Sequence, residues 1–310
     1  MKLGCCTWNF MTKFPSLPDD AITKVGELGF EGFELIAFSK EELRENYSID
    51  RISHLVKQYE SLGLILSEFV IDSGALRGLA RFDKEQKDDA LETFDLATSV
   101  ARDLGTKLIN FVPNWPYGLS APHQYLPLYI HPVIHGAQST AGPTWRFDLP
   151  QRFDWQEVWE NYLDSLVSCS TIASNKGVCI ALEGHPQTIL SNSDSFLRLF
   201  DRFDLPELGV NFDTAVSAAV FREYPALSIH KLGKKIFHVH ARDTDGSLNY
   251  SLPAGSGILD WPMIVESLRQ IAFDGFISIE LGENCREPEI HLTKARDYLR
   301  DVIKEKDYSN

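Results

Sequence analysis

The sequence lacks both a long hydrophobic run and paired cysteines. No apolar stretch approaches the roughly 18 residues that a membrane-spanning helix needs, and Met1 and Lys2 lead directly into a strand-like segment rather than an export signal. The five cysteines form no Cys-x-x-Cys pair, which indicates reduced and mostly buried thiols. We therefore expect a soluble, cytoplasmic protein with no membrane partner.

Positive charge is also scarce. Lys and Arg number 30 against 44 Asp and Glu, so the formal net charge is −14 at pH 7. An excess of negative charge opposes attraction to nucleic-acid phosphates and to anionic lipid surfaces. We expect no nucleic-acid partner, and the composition is otherwise that of an ordinary globular protein.

The sequence does contain a repeating unit, in which an amphipathic stretch is followed by a glycine and then by a short apolar run. The connector glycines are at positions 29, 63, 105, 177, 209, 233 and 275, and an apolar segment at residues 3–8 precedes the first unit. Glycine suits helix ends because it adopts positive φ without steric cost. Eight strands alternating with helices predict an α/β fold, a single (β/α)8 TIM barrel over residues 1–310. An open, doubly wound sheet is the alternative.

Helical patterns fill the spaces between the predicted strands. Residues 84–104 and 155–174 carry apolar stripes with a period near 3.6, which is typical of helices packed on a core. Asp260 followed by Trp261 and Pro262 is a typical helix start. A last helix is predicted over residues 288–304.

One connection, between the fourth strand and the fourth helix of the predicted barrel, is unusually long. Residues 113–153 hold seven of the fifteen prolines together with many aromatic and histidine side chains. Disordered segments are poor in aromatics, and ordered loops of this length are usually functional. We expect a lid over the barrel mouth, with a subunit contact as the alternative. His131 and His135 on this loop are candidate substrate-binding groups, or an additional acid or base.

Four consecutive predicted strands end in metal-ligating side chains, in chain order Glu183, Asp213, His240 and Glu280. The carboxyl ends of barrel strands meet at one mouth, where barrel enzymes keep their active sites. Three carboxylates gathered there need a countercharge, which a divalent cation supplies. Three oxygen ligands and one nitrogen favour Mn²⁺, with Mg²⁺, Co²⁺ or Zn²⁺ as alternatives.

Three further residues are candidates for binding a substrate. His185 could hydrogen-bond a hydroxyl group, and Arg242 could hold a substrate oxygen or else pair with a carboxylate such as Asp243. Trp8, after the first strand, could form an apolar wall. Each also has a plain structural interpretation, in loop hydrogen bonding, ion pairing or core packing.

The strand-end motifs resemble the xylose-isomerase-like barrel superfamily of sugar isomerases and epimerases over essentially the whole chain. The matching segments are ALEGHP, LGVNFDT, HVHARD, and GSGILDW followed by FDGFISIEL. The resemblance implies one divalent metal ion bound through Glu183, Asp213, His240 and Glu280. It also implies that Glu183 and Glu280 are catalytic and move protons on opposite sides of a carbohydrate substrate.

The chemistry expected of such a site is proton abstraction beside a metal-bound carbonyl. A carboxylate removes the acidified C–H proton to give an enediolate, and return of the proton elsewhere gives isomerisation or epimerisation. Loss of a leaving group from the same intermediate would make the protein a lyase or dehydratase.

The sequence departs from the family pattern at Val216, where many sugar epimerases have a histidine. Together with the long aromatic loop, this departure leaves open the barrel subunit of a C-glycoside deglycosidase, which works with a small partner subunit. A non-catalytic sugar-binding barrel is a separate alternative. Nuclease activity like that of endonuclease IV is not expected, since the third and fourth strands end without histidine. A homo-oligomer is the other expected assembly.

Overall fold

The computed structural model describes residues 1–14, 18–119, 149–247, 249, 251–281, 285 and 287–305. Eight parallel strands follow one another around a closed barrel, and the first strand pairs with the last. Closure confirms the α/β TIM barrel and eliminates the open sheet. The strands are β1 (Lys2–Cys6), β2 (Gly32–Ala37), β3 (Ile65–Ile71), β4 (Leu108–Phe111), β5 (Cys179–Glu183), β6 (Leu208–Asp213), β7 (Ile236–Ala241) and β8 (Phe276–Ile279).

Helices surround the barrel and connect its strands. Asp83, Asp154 and Asp260 each accept a hydrogen bond from a first-turn backbone N–H, which sets where three of the helices begin. The helices are α1 (Asp19–Glu27), α2 (Lys40–Asn46), α3 (Ile49–Ser61), α4 (Lys84–Asp103), α5 (Trp155–Asn175), α6 (Ser193–Arg202), α7 (Pro225–Leu232), α8 (Trp261–Gln270) and α9 (Pro288–Lys304). A short π-helical turn, Val216–Val220, follows β6.

The predicted boundaries agree closely with those observed. The helix expected over residues 84–104 ends at Asp103, and the one expected over 155–174 ends at Asn175. The last strand ends at Ile279, so Glu280 is the first residue beyond it. Described parts of the long loop are 113–119 and 149–153, and its proposed role as a lid stays a prediction.

The two faces of the barrel strands carry different side chains, apolar on the outer face and polar on the inner face. Apolar residues such as Leu182, Val239 and Ile277 are fully buried and belong to the main core. The inner face carries polar groups instead, among them the buried Glu34 and His238. The alternation of a strand thus places apolar side chains toward the helices and polar ones inside the barrel, as the sequence predicts.

None of the five cysteines is in a disulfide. Within the described residues, no helix combines the length and the apolar character that crossing a bilayer requires.

Candidate metal centre

The four strand-end residues predicted to bind metal lie together at one mouth of the barrel. Glu183 and Asp213 are the last residues of β5 and β6, His240 is one residue before the end of β7, and Glu280 follows β8. The strand register pairs Asp213 directly with His240. One potential ligand atom from each of the four residues lies within 4.8 Å of all the others.

The Nδ1 atom of His240 is the meeting point of two carboxylates. It lies 3.1 Å from Glu183 Oε2 and 3.0 Å from Glu280 Oε2. Asn211, on the inner face of β6, donates a hydrogen bond to Glu183 Oε2 at 3.1 Å. Asp213 accepts a backbone hydrogen bond from the N–H of Val216 at 2.7 Å. These bonds fix the carboxylates, and the ring of His240 stands between them.

Burial and charge act against each other on these groups. Burial raises the pKa of Asp213, and the charge of Arg242 only partly offsets it. For Glu183 burial acts in the same direction, but the charge of His240 holds the pKa well below its usual range. Burial likewise opposes ionisation of Glu280, and Arg242 and His240 together keep its pKa low. The carboxylates therefore concentrate negative charge that depends on nearby positive charge.

The donor set fits a divalent cation. His240 Nδ1 and Glu280 Oε2 are buried, yet neither has a hydrogen-bond partner of normal geometry among the described residues. Buried polar atoms without such partners are costly, and a cation that accepts their lone pairs removes that cost. Carboxylate oxygens with one imidazole nitrogen are ligands that Mn²⁺, Mg²⁺ and Zn²⁺ all use.

Two predicted substrate-binding residues contact the proposed ligands directly. His185 Nε2 lies 3.1 Å from Glu183 Oε1. The indole Nε1 of Trp8 donates to Glu280 Oε1 at 3.2 Å, and its ring meets the His240 ring edge-on at 6.0 Å. Both residues are thus part of the site, each beside one of the two glutamates, and their contact with a substrate stays a prediction.

Arg242 lies among the carboxylates rather than on its sequence neighbour. Its Nε donates to Asp213 Oδ2 at 2.5 Å, and its Nη2 lies 3.3 Å from Glu280 Oε2. Asp243, the partner considered from the sequence, has a different role. Its carboxylate accepts hydrogen bonds from Trp261 Nε1 and from three backbone N–H groups of the β7–α8 loop. Asp243 therefore stabilises the loop, and Arg242 pairs with the carboxylates of the centre.

The two loop histidines, His131 and His135, lie outside the described residues, so their suggested roles stay predictions. Val216, where the resemblance led us to look for a histidine, is a buried apolar residue. Its backbone N–H, not its side chain, contacts Asp213.

A second buried cluster, which sequence reasoning missed, lies deeper in the barrel. Glu34 on β2 contacts both His238 Nε2 at 2.8 Å and His240 Nε2 at 3.0 Å. Glu68 on β3 accepts a hydrogen bond from Asn110 at 2.8 Å, and burial raises the pKa of Glu68 to about 7. A glutamate in the middle of a mostly apolar strand, as in GFELIA and ILSEFVI, is the signal that could have identified this cluster.

The fold and the site together define a TIM barrel with a carboxylate–histidine centre at the carboxyl ends of its strands. The chain belongs to the xylose isomerase-like TIM barrel family, whose model matches residues 22–302. The resemblance inferred from the strand-end motifs is confirmed.

Curated relatives match part of the chain. Over 166 residues it is 31% identical to the uncharacterized protein MJ1311 of Methanocaldococcus jannaschii, covering 48% of this chain and 55% of that protein. Over 162 residues it is 29% identical to the inosose isomerase of Bacillus subtilis, covering 50% and 56%. The matched part of the chain thus spans about half the length of these curated relatives.

Solved structures match nearly the whole chain at low identity. D-psicose 3-epimerase from Clostridium cellulolyticum H10, crystallised with D-tagatose, superimposes with a TM-score of 0.74 and 18% identity, covering 98% of this chain and 100% of that one. The IOLI protein with a binding zinc atom gives a TM-score of 0.71 and 19% identity, covering 99% and 100%. At such identity the similarity establishes the shared fold.

Proposed function

We propose that this protein is a divalent-metal-dependent sugar isomerase or epimerase that moves a proton at a carbon next to a carbonyl group. Membership of the xylose isomerase-like family supports the class of reaction. The names of two similar proteins, inosose isomerase and D-psicose 3-epimerase, support a small carbohydrate as substrate. The carboxylate–histidine centre supports the requirement for metal.

The observation that carries the proposal is the pair of glutamates on one histidine nitrogen. Glu183 comes from β5 and Glu280 from the end of β8, two strands that are not adjacent, yet both carboxylates lie within 3.1 Å of His240 Nδ1. Two carboxylates that approach one centre from different strands can serve as base and acid on different sides of a bound molecule.

When bound, a divalent cation supplies Lewis-acid polarisation of a substrate carbonyl, which acidifies the neighbouring C–H bond. Glu183, kept ionised by its neighbours, takes that proton onto a carboxylate oxygen, and His185 orients the carboxylate through Oε1. Glu280, after taking up a proton from solvent, delivers it to another carbon or to the opposite face, with Trp8 holding its Oε1. The two glutamates have these roles in one direction and exchange them in reverse.

Glu183, Asp213, His240 and Glu280 would hold the ion, and the proposed ion is Mn²⁺. Its preference for oxygen-rich ligation matches three carboxylates and one imidazole. The zinc atom in the IOLI structure supports a divalent ion at such a centre without choosing among Mn²⁺, Mg²⁺, Co²⁺ and Zn²⁺.

The test is solvent exchange with protein stripped by EDTA and then reloaded with one metal at a time. Ketopentoses, ketohexoses and inososes are incubated with it in D₂O, and NMR follows deuterium next to the carbonyl and the appearance of isomers. We expect both signals with at least one sugar, and only with metal. Complete lack of exchange across the panel would contradict the proposal, and an unsaturated product would favour the lyase alternative.

Glu183→Gln and Glu280→Gln test the roles of the two glutamates. Each should lower exchange by about 10²–10⁴-fold, the usual contribution of a positioned acid or base. Metal content is measured on the same samples, so that loss of the ion is separated from loss of the proton carrier. Glu223→Gln is the matched control, because Glu223 bonds Ser193 and Ser228 outside the centre. Full turnover in either test variant would remove the two-carboxylate mechanism.

A further inference from the structure

The position of Arg242 is unusual for a substrate-binding residue. Its side chain is almost completely buried, with 7% of it exposed, and the Nη2 atom contacts all three carboxylates of the centre. It lies 3.3 Å from Glu280 Oε2 and 3.5 Å from Glu183 Oε1, and it forms an ion pair with Asp213. One nitrogen of the guanidinium therefore contacts the same three carboxylates that a metal ion would use.

Arg242 and a divalent cation would both balance the negative charge of the centre. Glu183, Asp213 and Glu280 carry three negative charges when ionised, and Arg242 always carries one positive charge. A divalent cation added to Arg242 makes the sum zero, whereas the cation alone would leave one negative charge. The arginine and the metal ion thus neutralise the same carboxylates, and at such short range they repel each other.

We propose that Arg242 is a resident countercharge that holds the three carboxylates in the metal-free protein and weakens the binding of the divalent ion. The inference rests on the metal centre of the proposed function and assigns Arg242 to the carboxylates instead of to the substrate. Its consequence is a metal that binds reversibly to a site already assembled.

The direction of the effect separates this role from a merely structural one. Loss of a structural residue loosens a site and weakens metal binding. Loss of a competing positive charge strengthens metal binding, because the carboxylates then interact with the ion alone. Arg242→Gln removes the charge, and Arg242→Lys keeps it. Arg222→Gln is the control, since Arg222 is exposed and donates a hydrogen bond to the backbone carbonyl of Gly246, away from the centre.

The experiment is calorimetric titration of Mn²⁺ into EDTA-stripped protein. We expect Arg242→Gln to bind Mn²⁺ at least about tenfold more tightly than the wild type does. Arg242→Lys and Arg222→Gln should bind Mn²⁺ with an affinity close to that of the wild type. Should the stripped Arg242→Gln protein unfold, the comparison is made on protein purified with Mn²⁺, by the rate at which EDTA removes the ion. Release slower by a similar factor supports the proposal.

Two negative outcomes are distinguishable. In the first, the wild type binds Mn²⁺ but Arg242→Gln binds it no more tightly, or releases it no more slowly. This result overturns the role of Arg242 and leaves the proposed function standing. Wild-type protein that binds no divalent ion overturns both.

Discussion

Glu34 Oε2 lies 3.0 Å from the Nε2 atom of His240, and both side chains are buried inside the barrel. Burial would raise the pKa of Glu34, but the charges of His240 and His238 hold it well below its usual range. An ionised carboxylate only accepts hydrogen bonds, so Nε2 is the donor. Binding of a metal ion at Nδ1 would require His240 to lose one proton, and with Nε2 kept as the donor to Glu34 the lone pair would be on Nδ1, the atom that faces Glu183 and Glu280.

Replacing Glu34 should therefore weaken metal binding without touching a proposed ligand. Glu34→Gln keeps the shape of the side chain but loses the charge that fixes the proton on His240 Nε2. We expect affinity for Mn²⁺ to fall by about 10–100-fold, the usual effect of losing such a partner. The measurement is calorimetric titration of the metal-stripped protein, after circular dichroism has confirmed the fold.

Glu68→Gln is the control for this variant. Glu68 is equally buried, but its nearest approach to His240 Nε2 is 3.9 Å, and its hydrogen bond comes from Asn110. We expect a smaller loss of affinity than for Glu34→Gln. Wild-type affinity in Glu34→Gln would show that the buried carboxylate does not set the orientation of His240.

The grouping of the four proposed ligands was predictable because each lies at, or within one residue of, the end of a strand. Parallel strands bring their carboxyl ends to one edge, so a polar residue closing an apolar run, such as Asp213 in GVNFD, has its position fixed by the fold. Glu34 and Glu68 lie in the middle of their strands, where the apolar residues around them suggested only packing. Their role depends on which strands face each other across the barrel, and this becomes known only once the barrel closes.

The sequence predicted the positions of residues along the barrel strands better than it predicted which side chains contact each other. The position of Arg242 at the end of β7 followed from the sequence, but its partner did not. Asp243 is adjacent in sequence, yet alternation along the chain turns the two side chains apart, and Asp243 bonds the following loop. Arg242 instead reaches Asp213 on the neighbouring strand.

Trp8 is predicted to orient Glu280 through the bond from its indole Nε1 to Glu280 Oε1. Trp8→Phe keeps an aromatic ring but removes this donor. A hydrogen bond to a charged group contributes about 1.5–3 kcal/mol, so we expect kcat to fall by about tenfold or more with little change in KM. The kinetics are measured with the sugar that shows solvent exchange. Unchanged kcat with a raised KM would instead support the apolar wall suggested by the sequence.

The connector glycines mark helix ends well in some repeats and poorly in others. Gly177 has φ +67° after α5, as expected of a helix-terminating glycine. Gly275, in contrast, does not have a positive φ, and the left-handed residue after α8 is Ala272 with φ 60°. The positive φ is required where the helix ends, and a glycine three residues later cannot supply it.

Ala272 and Gly177 therefore form a reciprocal pair for a stability test. The left-handed conformation costs a residue with a Cβ about 1–2 kcal/mol, part of which glycine loses again through its freer unfolded chain. We expect Ala272→Gly to raise the free energy of unfolding by about 0.5–1 kcal/mol, measured by urea denaturation of metal-stripped protein. Gly177→Ala should lower it by a similar amount, because a Cβ there meets no atom within 4 Å and only the backbone changes. Destabilisation by Ala272→Gly would show that the backbone after α8 is not strained.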